Sequence, residues 1–195
     1  MAAAFTEQEK NSIRAALKKS AQECIPTVGM RGATVEQLAK SAGISKGAFY
    51  DFYESKERLF FEVMEDWHEV LYTAAMKVLE ERTDLSSAER AAEAVLRVCG
   101  ILEENSLMNF LENDVPYLLR KLPPEVLSKH YHSDEVHIRE ILRQSNLHLT
   151  VSPEVACAAV RLLFLSLTNQ RQIGKDFPQV LELAVRSVCS RLISN

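Results

Sequence analysis

Six consecutive positions, Ser45-Lys46-Gly47-Ala48-Phe49-Tyr50, carry side chains that suit the edges and backbone of a nucleic-acid duplex. Lys46 can reach a guanine edge or a phosphate, and Ala48 can touch a thymine methyl. The Tyr50 hydroxyl can bond a phosphate oxygen. Gly47 is a poor helix former, at a cost of about 1 kcal/mol against Ala. On an exposed surface it lets the backbone come close to another molecule. Phe49 is expected to turn back into a core. The plainer reading makes Lys46 a solvated charge and puts Tyr50 in the core beside Phe49.

Presenting these side chains outward requires two short helices joined by a tight turn, the helix-turn-helix arrangement. Thr34-Val35-Glu36-Gln37 is a capping box that opens the first helix. Leu38 and Ala39 supply its buried face, and Ala39 is small where the two helices must approach. Gly43 permits a left-handed turn, since it carries no Cβ. Ile44 pins the turn to the core, and Ser45 caps the second helix. Ser55 caps a long helix to about Arg82, with Phe60, Val63, Trp67, Val70, Ala74 and Val78 as its apolar stripe. Upstream, Thr6-Glu7-Gln8-Glu9 is another capping box. Its helix repeats Ile13, Leu17, Ala21 and Cys24 at helical spacing, and Pro26 and Gly29 close it.

The stretch resembles the DNA-binding domain of the TetR family of transcriptional regulators. Thr34, Leu38, Ala39, Ala42, Gly43, Ile44, Ser45, Gly47, Phe49, Tyr50, Tyr53, Ser55, Lys56, Glu57 and Leu59 match the family pattern in register. The resemblance implies phosphate contacts by Thr34, Tyr50 and Lys56. It also implies base-edge contacts from Ser45, Lys46, Gly47 and Ala48. Three positions depart from the pattern: Asp51, Phe52 and Glu54. The two acids would repel phosphate unless turned away or paired, Arg58 being the partner at hand. The second helix lacks an Arg, Asn or Gln for bidentate readout. Specificity is therefore expected to rest partly on Arg31, on apolar contact and on DNA shape.

Helical signals continue to the end. Ser86-Ser87-Ala88-Glu89 opens a helix to about Glu103. Leu107 to Leu122 is helical, bent or divided at Pro116 and broken by Pro123-Pro124. Glu125 to Leu147 reads as one or two helices. Ser152-Pro153-Glu154 opens a very apolar helix to about Ile173, which Gly174 ends, and Asp176 starts the last one, to about Ile193. No stretch alternates convincingly with period two, and 6 Gly and 6 Pro in 195 residues are few for a β-rich chain. The expected fold class is all-α. A three-helix helix-turn-helix DNA-binding domain over 1–60 is followed by a helical ligand-binding and dimerisation domain over 61–195.

Charge agrees with that division. Residues 1–60 hold nine Lys and Arg against seven Asp and Glu, and the remainder holds 14 against 20. The net charge of −4 excludes a uniformly basic polyelectrolyte but allows a basic patch on an acidic body. Apolar residues at 47% and charged residues at 26% describe a globular chain. No apolar run approaches a membrane span, and the opening Met-Ala-Ala-Ala-Phe lacks the basic region and long apolar stretch of a leader. Cys24, Cys99, Cys157 and Cys189 form no CxxC pair and sit in apolar stretches, so they read as reduced core thiols. The chain is expected in the cytoplasm, without a membrane association.

Met108, Phe110 and Leu111, continuing to Tyr117, make an adaptable apolar surface suited to a small-molecule pocket, with Trp67, His68, Tyr72, Phe164 and Asn169 as weaker candidates. Ordinary core packing is the alternative for each. The last two helices carry more apolar surface than one face needs. Ala156, Ala159, Leu163, Leu167, Leu181, Val185 and Val188 are expected to form a four-helix interface about a two-fold axis. A dimer reads two half-sites roughly 34 Å apart or a multiple of it.

Other chemistries find little support. His130 and His132 are two apart, which on a helix points them to different sides, so with His137 they suggest no metal site and no cofactor is expected. Gly29-Met30-Arg31-Gly32 spells an RNA-binding GxxG loop but lacks flanking strands. No HExxH, GxSxG or Gly-rich phosphate loop points to an enzyme. Glu112 and Asp114 are expected to face solvent. The expected protein is a homodimeric, DNA-binding repressor, released from a palindromic operator when a small molecule displaces the long helix after Lys56. The alternative is a helix-turn-helix regulator without such an effector, switched by a protein partner or by cysteine oxidation.

Overall fold

Hydroxyl caps open most of the helices. In the computed structural model, which describes residues 5–104 and 107–194, Thr6 and Glu9 form a reciprocal capping box, as do Thr34 with Gln37 and Ser86 with Glu89. Ser45, Ser55 and Ser152 accept from the backbone three residues on. Asp176 opens the last helix without such a bond; Pro178 in the first turn marks the start instead. Met1–Ala4, which carry much of the leader reading, lie outside the described residues.

The helices are α1 (Glu7–Cys24), α2 (Gly29–Gly32), α3 (Val35–Ser41), α4 (Lys46–Phe49), α5 (Lys56–Glu81), α6 (Ser87–Glu104), α7 (Val115–Lys121), α8 (Pro124–Gln144), α9 (Pro153–Leu167), α10 (Gln170–Ile173) and α11 (Phe177–Leu192). A wide π-helical turn, Phe110–Asp114, leads into α7. The chain is all-α: among the described residues the extended pairing is a single bridge, Leu149 to Ile193. Details differ from the sequence reading. The Gly29–Gly32 run is a helical turn of its own. The break near Pro116 falls just before it, because proline seats itself in the first turn of α7. Residues 124–144 form one helix, and the apolar helix from Pro153 divides at Thr168–Asn169.

Two compact units emerge, Met1–Trp67 with Asn109–Leu122, and His68–Met108 with Pro123–Asn195. In the first, Leu17, Leu38, Phe49, Leu59, Phe60 and Leu118 are wholly buried. Truncating a Phe in such a core typically costs about 3–5 kcal/mol. Lys18 ties α1 to α5 through Glu62 and Asp66, at 2.8 and 2.9 Å. In the second unit, α6 lays Ala88, Ala91, Ala92 and Ala94 inward, and these small side chains let α9 and α11 pack close.

That packing sorts the side chains anticipated for dimerisation. Ala156, Leu163, Leu167, Leu181 and Val185 are buried inside the unit, and Ala159 and Val188 are half-buried. The Ala-rich face of α6 covers this side of both helices. The large apolar side chains left outward are Val155, Leu162 and Leu165 on α9 and Val180 and Leu183 on α11. Leu162 is 67% exposed and Leu183 68%.

Candidate functional site

The first unit builds its outward surface from local bonds. The Thr34 hydroxyl accepts from Gln37 N at 3.2 Å and donates to Gln37 Oε1 at 3.0 Å. At the other end of α3 the chain turns left-handed at Gly43, φ +72°, and Ile44 N donates to Ala39 O at 3.0 Å. An added Cβ at Gly43 would meet nothing within 4 Å, so the backbone angle alone requires glycine. Ser45 Oγ then accepts from Ala48 N at 3.1 Å and starts α4.

This one-turn helix turns Phe49 inward and leaves its first residues in solvent. Phe49 is wholly buried, its ring 6.0 Å from that of Tyr53. Ser45, Lys46 and Gly47 are exposed, Ala48 is half-buried, and Tyr50 is 52% exposed. Lys46 pairs with Glu36 at 2.5 Å, a partner that the sequence reading missed. The hydrogen bond between them raises the lysine's pKa and lowers the glutamate's. Asp51 and Glu54 are exposed. Among the described residues no ion pair joins either to Arg58, whose guanidinium lies over the Phe61 ring.

Lys56 and Arg31 meet at α2. Lys56 Nζ donates to the carbonyls of Met30, Arg31 and Ala33 at 2.9, 3.2 and 2.7 Å, closing the end of that short helix. Three N–H groups meet three acceptors, so its charge acts on this turn. Arg31 is exposed, and its guanidinium lies over the Tyr117 ring, 5.6 Å from the centroid. At the start of α2, Met30 N donates to Asp114 Oδ2 at 2.8 Å. Asp114, expected at the surface, is 3% exposed. Gly29 has φ +69°, and a Cβ there would lie 2.8 Å from the same oxygen.

The side chains anticipated for an effector divide between the two units. Trp67, Phe110, Leu111 and Tyr117 belong to the first unit, Met108 and Phe164 to the second. The second unit instead shows an open groove of about 400 Å³ between α5 and α8. Tyr72, Thr73, Met76, Lys77 and Glu80 line one side, and His137, Glu140, Ile141 and Gln144 the other.

Beside Tyr72 lies a polar cluster. Asp134 Oδ1 accepts from the Tyr72 hydroxyl at 2.9 Å and lies 3.1 Å from His68 Nδ1. His130 Nε2 stands 3.5 Å from Asp134 Oδ2, and the rings of His68 and His130 stack at 5.1 Å. His137 faces Glu69 at 3.6 Å. Burial pushes His130 below its ordinary pKa and Tyr72 above its own. Burial alone would raise Asp134, but the His68 hydrogen bond and the nearby imidazoles outweigh it and hold the carboxyl below its usual range. The spacing of His130 to Asp134, one helical turn, was the available sequence signal; the closer pair His130 and His132 drew attention from it. Burial also raises the four thiols, Cys99 to about 12 and Cys189 to about 11.

Comparison with known proteins adds three kinds of likeness. Residues 18–63 match the profile of the bacterial regulatory proteins, tetR family. An HTH-type transcriptional regulator of Bacillus subtilis, YuxN, is 32% identical over 113 residues, 57% of this chain and 37% of that protein. The chain thus spans little more than a third of that relative's length. Two solved structures share the fold. One is Thermus thermophilus FadR, a TetR-family repressor in complex with lauroyl-CoA: TM-score 0.63, 21% identity, covering 93% of this chain and 96% of that one. The other is RolR with resorcinol: TM-score 0.59, 22% identity, covering 97% and 99%.

Proposed function

We propose that this chain, whose residues 18–63 match the profile of the bacterial regulatory proteins, tetR family, is a homodimeric repressor released from a palindromic operator by a small molecule. The observation that carries this reading is the exposed α3–turn–α4 surface. Both helix starts are capped, Gly43 makes the turn, and Lys46, Gly47 and Tyr50 face solvent. On DNA, Ser45, Lys46, Gly47 and Ala48 meet base edges, while Thr34 and Tyr50 meet phosphates. Arg31 reaches the backbone or the adjacent groove. Lys46 exchanges Glu36 for the duplex, a low-cost exchange because an exposed ion pair is worth little. Lys56 contributes by holding α2 in place and by its charge.

Dimerisation is assigned to the outward faces. Val155, Ala158, Leu162 and Leu165 follow one another at helical spacing on α9, and Val180, Leu183, Ser187 and Ser190 do so on α11. Apolar residues with small neighbours allow two such helix pairs to pack about a two-fold axis. Leu162→Glu with Leu183→Glu is expected to give a monomer by sedimentation and to abolish cooperative operator binding. A wild-type chain that sediments as a monomer at micromolar concentration refutes the dimer.

The effector is assigned to the groove between α5 and α8. Its size lies within the range of small-molecule sites, and Met76 and Ile141 offer apolar surface beside the polar Tyr72 and His137. The similar structures hold ligands as different as lauroyl-CoA and resorcinol, so the fold leaves the choice to the lining. α5 is continuous from Lys56 to Glu81 and supplies residues to both units. An effector that shifts α5 moves Lys56 and the α2 carbonyls it holds. Release requires tighter effector binding to the state that does not fit DNA; equal affinity for both shifts nothing. A thiol switch is disfavoured, because burial keeps the thiols protonated.

Selection from a random duplex pool tests the central reading. An inverted repeat is expected to be enriched. Lys46→Ala should then weaken binding by about 1–3 kcal/mol and relax the preference at the base pair it contacts. Tyr50→Phe should weaken binding, and Glu36→Gln, which frees Lys46, should tighten it. Failure to enrich any sequence at low salt, with Lys46→Ala binding as the wild type does, sinks the assignment.

A further inference from the structure

We propose that His68, His130 and Asp134 form a binding site for a divalent transition-metal ion, with Zn²⁺ as the reference ion. Each residue offers one ligand atom, and the three atoms lie within 4.8 Å of one another. Zinc bonds of about 2.0–2.2 Å at tetrahedral angles set ligand atoms roughly 3.3–3.5 Å apart. The two carboxylate–imidazole distances are close to that spacing, His68 Nδ1 lying 3.1 Å from Asp134 Oδ1 and His130 Nε2 3.5 Å from Asp134 Oδ2. Side-chain rotation within the 4.8 Å bound would bring the three ligand atoms around one ion.

The elements present these donors as a clasp. His130 and Asp134 are one turn apart on α8, so they share a face. His68 comes from the facing helix, α5, and Tyr72 stands one turn beyond it. Tyr72 donates to Asp134 Oδ1 and orients the carboxylate, as ligating carboxylates require. Two imidazoles and one carboxylate favour zinc and neighbouring transition ions over Mg²⁺ or Ca²⁺, which prefer all-oxygen sites. His130 is buried, while the side chains of His68 and Asp134 are 28% and 18% exposed. The donors are thus shielded yet reachable, and three protein ligands leave a coordination position for water or a solute. The ion would clasp α5 to α8 beside the groove that Tyr72 lines. The site requires nothing of the DNA reading, and each can fail without the other.

The test uses the full chain, stripped with a chelator and titrated with ZnCl₂ by calorimetry, with metal content measured after dialysis. The wild type is expected to retain one Zn²⁺ per chain and to melt at a higher temperature with the ion present. MgCl₂ should do neither. Asp134→Asn keeps the shape of the side chain but not its charge, and should lower zinc affinity by about 100-fold or more. Should that variant fail to fold by circular dichroism, His68→Asn, at the more exposed position, carries the same expectation. Equal zinc uptake by the wild type and a folded variant would assign the metal to exposed side chains such as His132 and His148, and would overturn the proposal. So would a wild type that retains no zinc.

Discussion

The two units treat their polar side chains in opposite ways. In the first, the groups assigned to DNA stand in solvent and are held by neighbours a few residues away, such as Thr34 by Gln37 and Ala48 by Ser45. Lys46 rests against an exposed glutamate and can leave it. In the second, His68, Tyr72, His130 and Asp134 are largely shut in and hold one another across helices. The outer surface is suited to a large polyanion that brings its own charge and displaces surface ions. The inner cluster is suited to a small occupant that must be oriented with little water present, where an unmet polar group is costly.

Of the first unit's contacts between residues far apart in the chain, the one made by Asp114 should have the largest effect when broken. Asp114 reaches across 84 residues to the Met30 amide, at an oxygen that leaves no room for a side chain on Gly29. Gly29→Ala imposes a left-handed angle on a residue with a Cβ, at about 1–2 kcal/mol. It also displaces the buried carboxylate, at a further 1–3 kcal/mol or so. Urea denaturation should therefore show a loss of about 3 kcal/mol. In an Asp114→Ala background the same change should cost only the backbone part. Equal costs in the two backgrounds would remove Asp114 from the account.

Sequence legibility follows the same line. A capping box or a turn glycine works through residues three or four apart, so Thr34, Gly43 and Ser45 were readable with their partners. The inward turn of Phe49 was readable as well. Asp114 looked like a surface acid because its partner lies far away in the chain, and the cluster on Asp134 was missed because His68 is 66 residues from it. The α9 and α11 stripes showed an apolar excess. Which side of each helix faces inward depends on α6, and periodicity does not tell which neighbour a helix meets.

Thiol chemistry sharpens the contrast between an accessible and an enclosed unit. Cys24 in the first unit is half-buried, whereas Cys99 and Cys189 in the second are buried, with pKa values pushed up to about 12 and about 11. Alkylation of the native chain at pH 8 should modify Cys24 first and leave Cys99 and Cys189 protected. The stability consequence has a definite sign. A thiol whose pKa is raised on folding stabilises below its unfolded value, near 9, and that contribution is lost as pH rises toward the folded value. Each such thiol weakens the fold by about 1.4 kcal/mol per pH unit in that window. Replacing Cys99 and Cys189 with Ala should therefore flatten the alkaline loss measured by urea denaturation. Prompt labelling of Cys99 in the folded chain would show that this core opens and would restore a thiol switch as a rival.

The smallest expected effect separates the needs of folding from those of DNA contact. A Cβ added at Gly47 would meet only Ser45 Oγ, at 3.8 Å, an ordinary contact. Gly47→Ala should therefore fit without strain and stabilise α4 by about 0.5–1 kcal/mol, seen as a higher urea midpoint. If the helix start approaches a duplex closely, the same methyl group must weaken operator binding while the fold strengthens. Opposite signs in the two measurements are the signature of a glycine kept for its partner. A variant that is more stable and binds the selected operator as tightly as the wild type would move the closest approach away from Gly47, toward Tyr50 or Arg31.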